Sequence, residues 1–150
     1  MELGSFYIVT KNYHSFKETI EFYKNILEEE PYLYNEARWV EFKKFKLSVY
    51  CEEYDQKLIH EAENIDKHFN KAYLDNFGKE GSLKNNAIII NLYCENLNHE
   101  YKRLKKLGIK VSEFMRVHTT NLYWYFNAYD PNGNVIEITG NYNEEDQTKP

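Results

Sequence analysis

The sequence predicts an α+β fold built by repetition, and three observations predict it. One strand, a helix and three further strands can be read twice along the 150 residues. The stretch between the two copies has helical periodicity instead. The last hairpin is marked by Asp130-Pro131-Asn132-Gly133, in which proline pre-sets φ, asparagine tolerates left-handed geometry and glycine takes positive φ freely. The repeat is weak in residue identity and clear in element order.

The first strand runs from Ser5 to Thr10. The helix after it is expected to be capped by Ser15, with Glu18 completing a capping box. Phe16, Ile20, Tyr23 and Leu27 then share one helical face, and Glu28-Glu29-Glu30-Pro31 ends it. Strands follow near Tyr32–Tyr34, Ala37–Lys43 and Phe45–Glu52, with a hairpin at Lys43-Lys44. Next, Leu58, Ala62, Ile65, Phe69 and either Ala72 or Tyr73 repeat at helical spacing, which predicts one amphipathic helix that closes near Phe77-Gly78. Gly78-Lys79-Glu80-Gly81-Ser82 reads as a loop.

The second copy opens with an apolar strand, Ala87–Cys94. Asn98 is the expected cap of a helix whose apolar face is Tyr101, Leu104 and Leu107, with Gly108 behind it and Lys105 and Lys106 in the last turn. Ile109–Phe114 reads as a strand, and Leu122–Tyr129 with Val135–Gly140 as the final hairpin. The expected organisation is one domain over residues 1–150. Module one spans 4–54, a helical insert 55–85, module two 86–142 and a polar, mobile tail 143–150.

Composition removes several classes. A net charge of −5 with interspersed signs offers no basic stripe for nucleic acid. No apolar run is long enough to span a membrane, and Met1-Glu2-Leu3 does not open a signal peptide, so a cytoplasmic protein is expected. Cys51 and Cys94 lie in apolar runs without metal-knuckle spacing and read as buried reduced thiols. The 14 tyrosines and 9 phenylalanines suit a core and a pocket for flat organic molecules equally well.

Glu137 lies between Ile136 and Ile138 and points away from both, because strand side chains alternate faces. Such an acid belongs either to a wet face or to a binding cavity. Asp-Pro-Asn-Gly-Asn-Val-Ile-Glu-Ile (residues 130–138) resembles the last hairpin of the vicinal oxygen chelate superfamily, which includes glyoxalase I, bleomycin-resistance proteins and extradiol dioxygenases. Ser5-Phe6-Tyr7-Ile8-Val9-Thr10 resembles its first strand, and Phe22-Tyr23-Lys24-Asn25-Ile26-Leu27 the end of its first helix. The resemblance implies two βαββ modules, whose strands form a curved mixed sheet around a central ligand cleft, with a helical insertion between modules. It also implies a homodimer.

Catalytic members of that superfamily hold a divalent ion with His, Glu or Gln from four strands. The matching positions here are Ser5, Ser48, Ile89 and Glu137, so only Glu137 is a plausible ligand, and neither metal nor another cofactor is expected. His60, His68 and His99 read as exposed helix residues, and His14 lies in the loop after the first strand. His118, placed in a loop before the last hairpin, is the histidine of most interest. The catalytic candidates are therefore Glu137 and His118.

Alternation from these positions places Tyr7, Ser48, Tyr50, Asn91, Tyr93 and Glu137 on the cleft surface; Trp39 and Trp124 are candidates for its border, with their facing left open by the pattern. Tyrosine faces could stack on a planar or cationic ligand, with Glu137 pairing its charge. The leading expectation is a metal-free binder of a small organic molecule, resembling bleomycin-resistance proteins. The alternatives are a glyoxalase-like lyase or dioxygenase using Glu137, and a non-catalytic interaction or immunity protein.

Overall fold

A computed structural model describes residues 2, 5–35, 37–78, 89–118 and 122–147. It resolves two compact units, Met1–Asn85 and Asn86–Pro150. Each contains a four-stranded mixed sheet and a helix that follows the first strand.

In the first unit the elements are β1 (Phe6–Thr10), α1 (Tyr13–Leu27), β2 (Leu33–Asn35), β3 (Trp39–Phe42) and β4 (Leu47–Cys51). The strand order is β1-β4-β3-β2, with β1 parallel to β4 and the other pairs antiparallel. The crossover through α1 is what a parallel neighbour requires. Phe16, Ile20, Tyr23 and Leu27 are all buried, as their spacing predicts. They share the core with Val40, Phe42, Leu47 and Val49.

The N-terminus of α1 departs from expectation. Asn12 is the cap, and its Oδ1 accepts from the Ser15 amide at 2.8 Å. An asparagine in extended conformation three residues earlier starts the helix sooner, so Ser15 lies inside its first turn and its own amide is the one that is capped. Glu18, freed from a capping box, faces His14 at 3.2 Å.

The insert is not one helix. It comprises α2 (Glu52–Glu61), a 3-10 turn (Ile65–Lys67) and α3 (Lys71–Asn76). Helix α2 starts directly after β4 and stops at Ala62, which is extended, and Asn70 caps α3 by accepting from the Tyr73 amide at 2.9 Å. Leu58, Ala62, Ile65, Phe69 and Tyr73 are each half-buried. The apolar spacing survives the breaks, which is why it looked continuous.

In the second unit the elements are β5 (Ile90–Cys94), α4 (Leu97–Lys106), β6 (Met115–His118), β7 (Leu122–Tyr129) and β8 (Val135–Gly140). The order β5-β8-β7-β6 repeats that of the first sheet, with β5 parallel to β8. Each module thus carries one strand more than a βαββ unit. The expected start of β5 at Ala87, and the loop at 79–82, lie outside the described residues.

Three expectations change in this unit. Residues 109–114 form only an isolated bridge, from Val111 to Ala128, and the strand lies at Met115–His118. Ser112 explains the shift: its amide donates to the Asn127 carbonyl and its Oγ accepts from the Asn127 amide, which interrupts a regular ladder. Asn96, not Asn98, caps α4 by accepting from the His99 amide at 2.9 Å. Asn98 is buried and exchanges two hydrogen bonds with the Asn143 backbone, both 2.9 Å, which anchors the start of the tail. Leu107 is the C-cap of α4 and is exposed, while Leu97 and Leu104 fill the core.

The final hairpin falls where its turn places it. Asp130 Oδ1 accepts from the amides of Asn132 and Asn134 at 2.9 and 2.8 Å, and Gly133 has φ +82°. Ile136 and Ile138 are buried with Phe126 and Ala128. Among the described residues no helix is long and apolar enough to cross a membrane.

Candidate functional site

The sheet of the second unit has two unlike faces. Ile136, Ile138, Phe126 and Ala128 occupy the buried one. On the other, the register places Asn91 beside Glu137 on β8 and Asn127 beside Glu137 on its far side. In-register neighbours project from the same face, with Cβ atoms about 5 Å apart. Asn91 Nδ2 donates to Glu137 Oε1 at 2.8 Å. Asn127 Oδ1 is buried and has no hydrogen-bond partner among the described residues. One row therefore carries a carboxylate between two carboxamides.

Tyrosines surround this row. Thr139, two residues along β8, is in register with Tyr93 and with Tyr125. Tyr93 is 69% exposed, and Tyr125 stacks on Tyr123 at 6.0 Å between ring centroids. Tyr129, in register with Val135, completes the group. The result is an acid and two amides within a tyrosine frame, all carried by three adjacent strands.

Trp124 does not join them. It alternates with Tyr123 and Tyr125 along β7, and its ring stacks on Tyr142 at 4.1 Å. Tyr142 in turn packs on Phe114, which packs on the buried Phe126. Trp124 thus belongs to the side that also carries α4. His118 ends β6 in register with Leu122 and is strand, not loop; its side chain is outside the described residues.

In the first unit the corresponding row is Tyr7, Ser48 and Glu41. Ser48 is fully buried and its Oγ has no hydrogen-bond partner among the described residues. Tyr7 is 44% exposed and packs against Trp39 at 5.2 Å and edge-on to Tyr50 at 6.5 Å. Glu41 accepts from Tyr32 Oη and, at 3.3 Å, from Trp39 Nε1.

Tyr50 is engaged elsewhere. Its hydroxyl donates at 2.6 Å to Asp55, a carboxylate with 0% exposure at the first turns of α2. Asp55 also accepts the Tyr73 hydroxyl from α3 and a two-pronged contact from Arg38, at 2.7 and 2.9 Å. Burial would raise the Asp55 carboxyl, but Arg38 and the two hydroxyls outweigh it and hold the carboxyl below its usual range. The Tyr50 hydroxyl is pushed up, first by burial and then by its bond to Asp55. Neither Arg38 nor Asp55 was singled out from the sequence. A polar residue three positions before Leu58 looks like solvated helix surface until its partners are known.

The four positions at which the superfamily places metal ligands can be tested on these side chains. Ser5 and Ser48 offer hydroxyls, Ile89 an alkyl chain that is 48% exposed, and Glu137 a carboxylate already held by Asn91. Borderline divalent ions need several imidazole, thiolate or carboxylate donors at one point. This donor set does not fit one. Among the described residues, no group of three His, Cys, Asp or Glu is placed to hold a metal.

Both cysteines are free, with Cys51 buried and Cys94 half-buried. Burial, with a smaller effect from Glu100, pushes the Cys94 thiol up to about 11, which keeps it protonated at neutral pH.

Comparison with known proteins agrees with the architecture. No curated protein matches the chain. A glyoxalase/bleomycin resistance protein/dioxygenase family enzyme from Burkholderia phytofirmans PsJN superposes with TM-score 0.62 at 12% identity, covering 93% of this chain and 98% of that one. A protein from the mobile metagenome of V. pseudocholerae gives 0.57 at 17% identity over 95% and 96% of the two chains. Lactoylglutathione lyase from Agrobacterium tumefaciens gives 0.56 at 16% identity over 93% and 92%. At such identities these structures speak for the fold alone. The family model of the Glyoxalase/Bleomycin resistance protein/Dioxygenase superfamily matches residues 9–138, and with that span of the chain matched, the protein belongs to this superfamily.

Proposed function

We propose that this protein binds a small organic molecule without a metal, in the manner of the superfamily's bleomycin-resistance proteins. The observation that carries the reading is the exchange at the superfamily's ligand positions. Three of the four hold Ser5, Ser48 and Ile89, which leaves Glu137 as a single carboxylate where a metal needs several donors. An acid no longer needed for a metal is free to serve a ligand. The exposed Tyr7 and Tyr93 supply flat apolar surface with polar tips, which suits a planar molecule. In the same reading residues 1–150 act as one functional domain in a cytoplasmic homodimer, and Tyr7, Ser48, Asn91, Tyr93 and Glu137 contact the ligand. Tyr50 contributes its ring, since its hydroxyl is bound to Asp55.

The test is elemental mass spectrometry of protein purified without chelators or a histidine tag, followed by a thermal-shift screen of aromatic compounds. Substoichiometric metal together with a saturable rise in Tm supports the proposal. Near-stoichiometric zinc, nickel, manganese or iron would replace it with a metal-dependent lyase or dioxygenase.

A further inference from the structure

The Glu137 row carries more information than a single acid does. Glu137 Oε1 is engaged by Asn91, while Asn127 Oδ1 on the opposite flank is buried and has no donor among the described residues. A buried carbonyl left unpaired is unfavourable, and native structures seldom keep one unless something supplies the missing donor. Here the neighbour in register on β8 is a carboxylate, which when ionised has no proton to give. Glu137 and Asn127 are thus in-register neighbours, and Asn127 Oδ1 takes no hydrogen from the carboxylate beside it.

We infer that this row recognises an organic cation that brings its own N–H groups on a planar frame, an aromatic amidinium or guanidinium. The inference rests on the reading of the protein as a small-molecule binder and names the class of molecule. The cation lays one N–H against the free Glu137 oxygen and passes another beside it to Asn127 Oδ1. Because Oδ1 lies below the surface, the donor must be thin. A planar amidinium edge enters beside a carboxylate, whereas a tetrahedral ammonium capped with methyl groups is both too wide and without a hydrogen to donate. The ligand's ring then rests by Tyr93 and Tyr125, where tyrosine faces favour a delocalised cation, while the Tyr129 ring already carries the Lys110 ammonium at 5.3 Å. Asn91 fixes the carboxylate from the other side, so the acceptor is pre-oriented.

The experiment is calorimetric titration of the full chain with three matched probes: benzamidine, phenyltrimethylammonium and benzamide. Benzamidine is expected to bind at least about tenfold more tightly than either, the difference a charge-assisted hydrogen bond makes. Asn127→Val, a β-branched strand residue without an acceptor, is expected to bring the two cations within about threefold of each other. Its Tm should hold or rise, since it removes an unpaired buried group. Glu137→Gln should erase the preference of benzamidine over benzamide. Equal binding of the two cations, or a benzamidine preference unchanged in Asn127→Val, overturns the inference. Binding of neutral aromatic compounds with no binding of benzamidine also overturns it, while leaving the proposed function standing. Absence of binding by every compound in the thermal-shift screen overturns both.

Discussion

Two carboxylates divide the chemistry of this chain. Asp55 has no exposure and three side-chain partners, Arg38, Tyr50 and Tyr73, drawn from a turn, a strand and a helix. Removing a buried, paired charge strands its partners, so Asp55→Ala is expected to lower stability by about 3 kcal/mol in urea denaturation. Tyr73→Phe, which deletes one hydrogen bond of the same group, should cost about 1 kcal/mol. Equal small losses in both variants would show the network to be incidental. Glu137 is the opposite case: it is half-buried, and among the described residues its side-chain hydrogen bond is to the exposed Asn91. Glu137→Gln should therefore weaken benzamidine binding about tenfold while moving Tm by no more than about 2 °C. A large loss of Tm with unchanged binding would make the residue structural.

At the scale of elements, the β5–β8 pair is held to a close approach. A Cβ built on Gly140 would lie 2.3 Å from the Cys94 carbonyl oxygen and 2.9 Å from Cys94 Sγ. Backbone cannot yield that distance without moving the parallel pair. Gly140→Ala is expected to destabilise by about 1–3 kcal/mol, read as a lower urea midpoint. The Asp-Pro-Asn-Gly turn was legible in full because its chemistry is local: Asp130 bonds to amides two and four residues on. The insert was legible only in part. Its apolar spacing was real, but Asn70 caps a new helix within it and Ala62 is extended, so one expected helix became two and a 3-10 turn. The strand misplaced at Ile109–Phe114 has the same origin. A serine side chain competing for the Asn127 amide is a contact between residues far apart in sequence, and periodicity does not register it.

For the whole molecule, acid is the informative stress. The Asp55 carboxyl is lower in the folded protein than in the unfolded chain, where it is about 3.9. A depressed carboxyl stabilises fully above the unfolded value, and that contribution is lost as pH falls through the folded one. Stability should thus decline below about pH 4, and the decline should be shallower in Asp55→Asn, as followed by urea midpoints at several pH values. An identical acid limb in the variant would assign the effect to other carboxylates.

By itself, the sequence determined the α+β class, the repeated element order, the superfamily and the position of Glu137, because each depends on periodicity, turn chemistry or motif along a contiguous stretch. Tertiary structure decided the rest. It placed Trp124 on the side of its sheet away from Glu137, gave the Tyr50 hydroxyl to Asp55, and set Asn127 beside Glu137. Those outcomes depend on which strands pair and in what register, and a shift of one residue in register exchanges the two faces of a strand. Only the paired sheet shows which residues are neighbours, and so which polar groups are left without partners.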